Sequence, residues 1–249
     1  MAADTIAVLS LKGGTGKTTT VRTLADAFGR AGLSVLTVDL DPQGNLSDYF
    51  DVPREATPTV AEVLAGDAKA KEAVHEPGII PSSLHLAEVE RALSGKMGRE
   101  VVLKKALKDA RKGYDVILVD CPPALGLLTI NGLVAADHAL ISSEAQYFAL
   151  QGVNGAMELI EQVREYYNDE LELLGVLLNI ADMRTTHSRD AYTQLQEVFG
   201  EKVFQTVIRP SIAYAESAEK ALSILDYRPD LGDDYVRLAD EVLSRIGRG

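Results

Sequence analysis

The stretch Leu9-Ser10-Leu11-Lys12-Gly13-Gly14-Thr15-Gly16-Lys17-Thr18-Thr19 begins inside an apolar run, residues 5–11, and opens a helical pattern. In that pattern Val21, Leu24, Ala25 and Phe28 share one face. Strand, glycine-rich turn and helix, in this order, form a setting for a phosphate-cradling loop. Gly13, Gly14 and Gly16 let the backbone turn its amide hydrogens inward, leaving a concave anion site free of side chains. The positive end of the following helix points at the same place. Lys17 can reach the outer phosphates, and the Thr18 hydroxyl, with Thr19 beside it, can ligate a magnesium ion that bridges them. The bland alternative is a glycine-rich turn carrying two surface lysines.

The loop lacks the first glycine of the usual G-x4-G-K-[ST] pattern and carries an additional lysine, Lys12, at its start. A cation at the loop mouth lies too far out to be needed for phosphates held by the same chain; it can reach a nucleotide bound by a second copy. Here the chain resembles the ParA/MinD family of deviant Walker A ATPases. That resemblance implies a nucleotide-sandwich homodimer in which Lys12 acts across the interface. It also implies ATP and Mg2+ as cofactors, with Lys12, Gly13, Gly14, Thr15, Gly16, Lys17, Thr18 and Thr19 around the phosphates.

Further along, residues 34–39 form a short apolar run, of the kind that makes a strand buried on both faces of a parallel sheet. It ends in Asp39-Leu40-Asp41-Pro42-Gln43-Gly44-Asn45. Alternate residues share a face, so Asp39 and Asp41 can point to one site at the carboxyl end of the strand, where doubly wound sheets bind ligands. A polar Pro-Gln-Gly turn is the competing reading. The DxDPQGN string matches the family's second signature; the resemblance assigns Asp41 to orienting the attacking water and Asp39 to the metal shell. A helix over residues 101–112 precedes a second buried run, residues 114–119, that delivers Asp120 followed by Cys121-Pro122-Pro123. Asp120 is therefore expected at the sheet edge, holding a magnesium-bound water, rather than merely capping a strand. The DxPP ending is similar to the family's third signature.

The rest of the chain is read more coarsely. Residues 52–99, broken by Pro53, Pro58, Pro77 and Pro81, carry short helical patterns at 60–64 and 68–74 and a short strand pattern at 84–87. Strand patterns recur at 139–142, 173–178 and 203–210, with helices at 153–167, 191–199 and 233–246. The segment Glu144-Ala145-Gln146-Tyr147-Phe148-Ala149-Leu150-Gln151-Gly152 resembles the EYFALEG segment of partition ATPases, with Gln146 and Gln151 in place of both glutamates. Asn179 ends a strand; an amide there offers a donor and an acceptor to a base edge, and MinD-like relatives imply that role. By the same resemblance, Arg209 and Pro210 contact the nucleotide ring.

Together these patterns predict an α/β chain with a doubly wound, mostly parallel sheet and helices on both faces, as a single domain over residues 1–249. One cysteine, Cys121, excludes an internal disulfide and suits a reducing compartment; it also excludes the iron–sulfur branch of the superfamily, which needs two per subunit. No apolar run approaches the ~20 residues that span a bilayer and no leader pattern precedes the loop, so a cytoplasmic chain without stable membrane insertion is expected. The polar face of the last helix is acidic where MinD's is basic, which disfavours anionic lipid.

The resemblance to the ParA/Soj-type partition branch implies an ATP-dependent switch: nonspecific DNA binding by the dimer, nucleoid association, and a ParB-like activator that speeds slow basal hydrolysis. Arg184, Arg189, Lys202, Arg209 and Arg228 are candidate DNA phosphate contacts, and scattered solvated cations are the equal alternative. Against DNA stands the net charge of −12. Only residues 1–5 precede the first strand, so an operator-reading N-terminal module is not expected. The opposing reading is a MinD-like or adaptor-type positioning ATPase acting on protein or membrane cargo. A third, a small-molecule-modifying enzyme related to dethiobiotin synthetase, finds no second substrate pocket in the sequence.

Overall fold

The computed structural model describes residues 3–145 and 149–248. Its frame is a parallel sheet of six strands among the described residues: β1 (Asp4–Leu9), β2 (Val35–Asp39), β3 (Ile79–Ile80), β4 (Val116–Asp120), β5 (His138–Glu144) and β6 (Glu172–Asn179). In space they run β3-β2-β4-β1-β5-β6. From β1 the chain crosses over β4 to reach β2, whereas after β4 it crosses over β1 to β5. The reversal falls between β1 and β4, and it opens a crevice at their carboxyl ends.

Strand residues alternate between two apolar cores. Ala7, Leu9, Leu36, Val38, Ile117, Val119 and Ile141 belong to the core beneath α3 (Val60–Ala65), α4 (Leu86–Leu93), α5 (Val102–Leu107), α6 (Leu127–Ala135), α7 (Ala149–Tyr166) and α8 (Thr186–Phe199). Ile6, Val8, Val116, Leu118, Leu140 and Leu177 face the other core, closed by α1 (Lys17–Arg30), α10 (Ile224–Tyr227) and α11 (Pro229–Arg245). Two short helices, α2 (Asn45–Tyr49) and α9 (Ala213–Glu219), sit at the crevice end. Both faces of every central strand are thus buried, which is why the runs carry no polar alternation. No helix among the described residues is long and apolar enough to cross a membrane.

Several local expectations are corrected. The strand expected at 84–87 is a turn leading into α4, with Leu84 exposed and Leu86 buried; the edge strand is Ile79–Ile80 instead. The helix expected over 101–112 is α5 alone, flanked by 3-10 turns. The strand expected at 203–210 follows β6 without forming a ladder. Phe204 and Ile208 donate to the carbonyls of Val176 and Leu178, four residues against two, and the intervening Gln205 and Thr206 amides donate to the Glu241 carboxylate. Gln146, Tyr147 and Phe148 of the EYFALEG-like segment lie outside the described residues.

Candidate active site

Gly16 caps α1 with a left-handed backbone, φ 79°. A Cβ on it would lie 2.6 Å from Asn179 Nδ2, so glycine is required by both conformation and space. No side chain caps this end of α1 and no acid lies in its first turn, which leaves its positive end to an anion. Lys17 is buried beneath the loop, and Ser142 donates to the Thr15 carbonyl at 2.8 Å, holding the cradle against β5.

Parallel registry places Asp39 directly beside Asp120. The Thr18 hydroxyl donates to Asp120 Oδ2 at 2.7 Å, and Asp120 Oδ1 is buried without a partner. Burial, and then the neighbouring Asp39 charge, raise the Asp120 pKa to about 8; burial raises Asp39 to about 6. A buried orphan carboxylate oxygen next to a threonine hydroxyl fits a small hard cation that takes one or two protein oxygens plus phosphate oxygens. No cluster of three or more acids, histidines or cysteines that could cage a metal occurs among the described residues. Asp39 is engaged differently from Asp120. Its Oδ1 accepts the Asp41 amide at 3.1 Å, and its Oδ2 accepts the Ser47 amide and hydroxyl at 3.0 and 2.8 Å. It fastens the loop between β2 and α2.

Asp41 is half-buried, accepts the Gln43 amide at 3.0 Å and lines the same pocket as residues 13–19. This pocket, of about 660 Å³, extends from the loop to Asn179, Ile180 and α9. Asn179 is buried, donating to Thr20 Oγ1 at 3.1 Å and accepting the Ile180 amide at 3.0 Å. Ile180 itself has a left-handed backbone, φ 53°, a strain that places this turn against the pocket. Lys12, exposed at the loop mouth, lies 3.2 Å from Glu144 Oε2 at the end of β5. Arg209 and Pro210 instead line a neighbouring groove with Asp234, and among the described residues only Ser211 borders both.

Sequence matches now decide the family. Residues 3–173 match the AAA domain model. The chain is 39% identical to the chromosome-partitioning ATPase Soj of Thermus thermophilus, over 97% of this chain and 96% of that one. It is 35% identical to the chromosome partitioning protein ParA of Caulobacter vibrioides, over 96% and 94%. The chain belongs to the ParA/Soj family of ATPases. The fold agrees: cobyrinic acid a,c-diamide synthase of Mycobacterium smegmatis, solved with ADP and magnesium, superposes with a TM-score of 0.86 at 33% identity, covering 98% of this chain and 96% of that one.

The cations considered for DNA each have an own-chain partner. Arg184 forks onto Asp182 and Arg228 onto Asp230; Arg209 pairs with Asp234, which Arg237 also engages. Arg189 donates to the Met183 and Arg184 carbonyls and Lys202 to that of Leu173. Sequence reading missed the tyrosines of this ParA/Soj-type pocket: Tyr49, Tyr214 and Tyr235 all line it. Tyr235 falls on the apolar stripe of α11 and so reads as core; nothing local marks the other two.

Proposed function

We propose that this chain is an ATP-dependent dimerising switch of the ParA type, hydrolysing ATP to ADP and phosphate to drive chromosome or plasmid partition, with nonspecific DNA and a ParB-like activator as partners. The observation that carries this reading is the contrast between two lysines of one loop: Lys17 is buried under the cradle, and Lys12 is exposed at its mouth. In this reading the amides of residues 13–16 and Lys17 hold the phosphates, while Asn179 and Ser211 flank the base. Thr18 and Asp120, with Asp39 behind them, would hold Mg2+, which when bound neutralises charge on the outer phosphate oxygens. Asp41 orients the water that attacks the γ-phosphorus; the bond from that phosphorus to the bridging oxygen breaks, and ADP keeps the oxygen. Lys12 from a second copy meets the same phosphates once it leaves Glu144, so that two chains close over two nucleotides in the cytoplasm, on the nucleoid where DNA is bound.

Light scattering with a non-hydrolysable ATP analogue and magnesium tests the dimer. The wild type doubles in mass, whereas Lys12→Ala binds the analogue and remains a monomer. A wild type that holds the analogue as a single chain overturns the reading.

One observation favours a second reading, a MinD-like or adaptor-type ATPase for protein or membrane cargo: the candidate DNA cations are already engaged within the chain, on a protein of net charge −12. Affinity of the ATP form for random duplex DNA across salt separates the two, because a steep salt slope belongs to phosphate contacts.

A further inference from the structure

Beyond the phosphate cradle, the described pocket ends in a wall that the sequence motifs do not account for. Tyr214 stands in that wall on α9, alongside Ala215 and Ala218, and Asn179 and Ile180 line the same pocket. Its ring is set edge-on against Tyr235, with centroids 5.9 Å apart and planes at 83°. Tyr235 is fully buried, and its hydroxyl lies 3.4 Å from Thr20 Oγ1, which also accepts from Asn179. The helix is fastened too: Ser217 donates to the Tyr214 carbonyl at 2.9 Å and meets the Tyr49 hydroxyl at 2.7 Å.

Its hydroxyl breaks the pattern. Tyr49 and Tyr235 both place their hydroxyls against side-chain oxygens, but the Tyr214 hydroxyl is buried and has no hydrogen-bond partner among the described residues. A phenol hydroxyl removed from water without a partner destabilises a fold unless a ligand completes it. Asp41 and Thr18, the residue that Asp120 engages, mark the end of the pocket where the terminal phosphate and its water belong, so the nucleoside half of a nucleotide held by the loop extends towards α9. We infer that Tyr214 determines nucleoside specificity in this ATPase, its ring walling the nucleoside and its hydroxyl donating to an acceptor on the ribose or base. This inference rests on the nucleotide occupying the phosphate loop as proposed above.

Calorimetric titration of the full chain with Mg-ATP, Mg-2′-deoxy-ATP, Mg-GTP and Mg-tripolyphosphate tests it, comparing the wild type with Tyr214→Phe. The variant is expected to bind ATP about tenfold more weakly, ~1.4 kcal/mol, with tripolyphosphate affinity unchanged and the ATP-over-GTP preference reduced. Nucleotide-free Tyr214→Phe is expected to melt at a higher temperature than the wild type, since the change deletes an unpaired buried hydroxyl and keeps the ring. That opposition of signs is what a purely structural tyrosine does not give. If wild-type affinity for 2′-deoxy-ATP has already fallen to the variant's ATP value, the acceptor is the ribose; if it has not, the acceptor is on the base. Unchanged ATP affinity in Tyr214→Phe, or an equal loss for tripolyphosphate, overturns the inference. A wild type that binds none of the four overturns the reading of the loop instead.

Discussion

Thr18 and Asp120, 102 residues apart in sequence, share a 2.7 Å hydrogen bond that ties the first turn of α1 to the end of β4. The bond satisfies one carboxylate oxygen and leaves the other buried and bare. An arrangement that is costly in the nucleotide-free chain and suited to a cation has measurable consequences.

Asp120→Asn should separate stability from activity. Burial and the Asp39 charge raise Asp120 to about 8, far above its unfolded value. A carboxyl raised on folding contributes stability that is full below the unfolded value of ~4 and is lost as pH rises through the folded one. The nucleotide-free wild type therefore melts progressively lower as pH rises from ~4 to about 8, and the decline levels off above that. Asp120→Asn flattens that decline while losing magnesium-dependent ATPase activity. Melting curves across pH, paired with phosphate release, check both halves; a parallel decline in the variant removes the argument.

Gly16→Ala should abolish nucleotide binding and destabilise the chain by ~1–3 kcal/mol, because it adds a Cβ both to a left-handed position and against the Asn179 amide. Adding Asn179→Ala relieves the contact but not the backbone. The double variant should recover only part of the lost stability in denaturant titrations.

Ala221 has φ 50° in the turn after α9, where a Cβ strains the backbone. Ala221→Gly should raise stability by about 0.5–1 kcal/mol without changing ATPase rate. Lower stability would mean that the strain is absent.

Asp182 lies on the exposed loop between β6 and α8, and its fork with Arg184 holds its carboxyl down at about 2. Exposed pairs add little to stability, so Asp182→Asn should fold normally. If the ATP form binds DNA through this loop, freeing Arg184 raises affinity for random duplex a few-fold and steepens the salt dependence by about one charge. No change in either places DNA elsewhere or nowhere.

Asp41→Ala should bind ATP with magnesium as the wild type does and hydrolyse it at least about a hundredfold more slowly, the scale expected for losing a group that positions the nucleophile. Single-turnover phosphate release reads this directly; normal turnover would remove Asp41 from the reaction.

The amino-acid sequence alone determined whatever is written in contiguous residues. The phosphate loop is a local conformation imposed by Gly13, Gly14 and Gly16 between a strand and a helix, and the apolar runs ending in Asp39, Asp120 and Asn179 can only be strands buried on both faces. Tertiary structure decided what depends on partners far along the chain. Glu241 takes the Gln205 and Thr206 amides and so prevents a seventh regular strand at 203–210; Ser47 engages Asp39 while Asp120 keeps a bare oxygen; Glu144 meets Lys12. The wall of tyrosines is the clearest case, since Tyr49, Tyr214 and Tyr235 come from three separate helices and meet only when both ends of the sheet are packed. Local periodicity records which face a residue buries, not which distant side chain it will meet there.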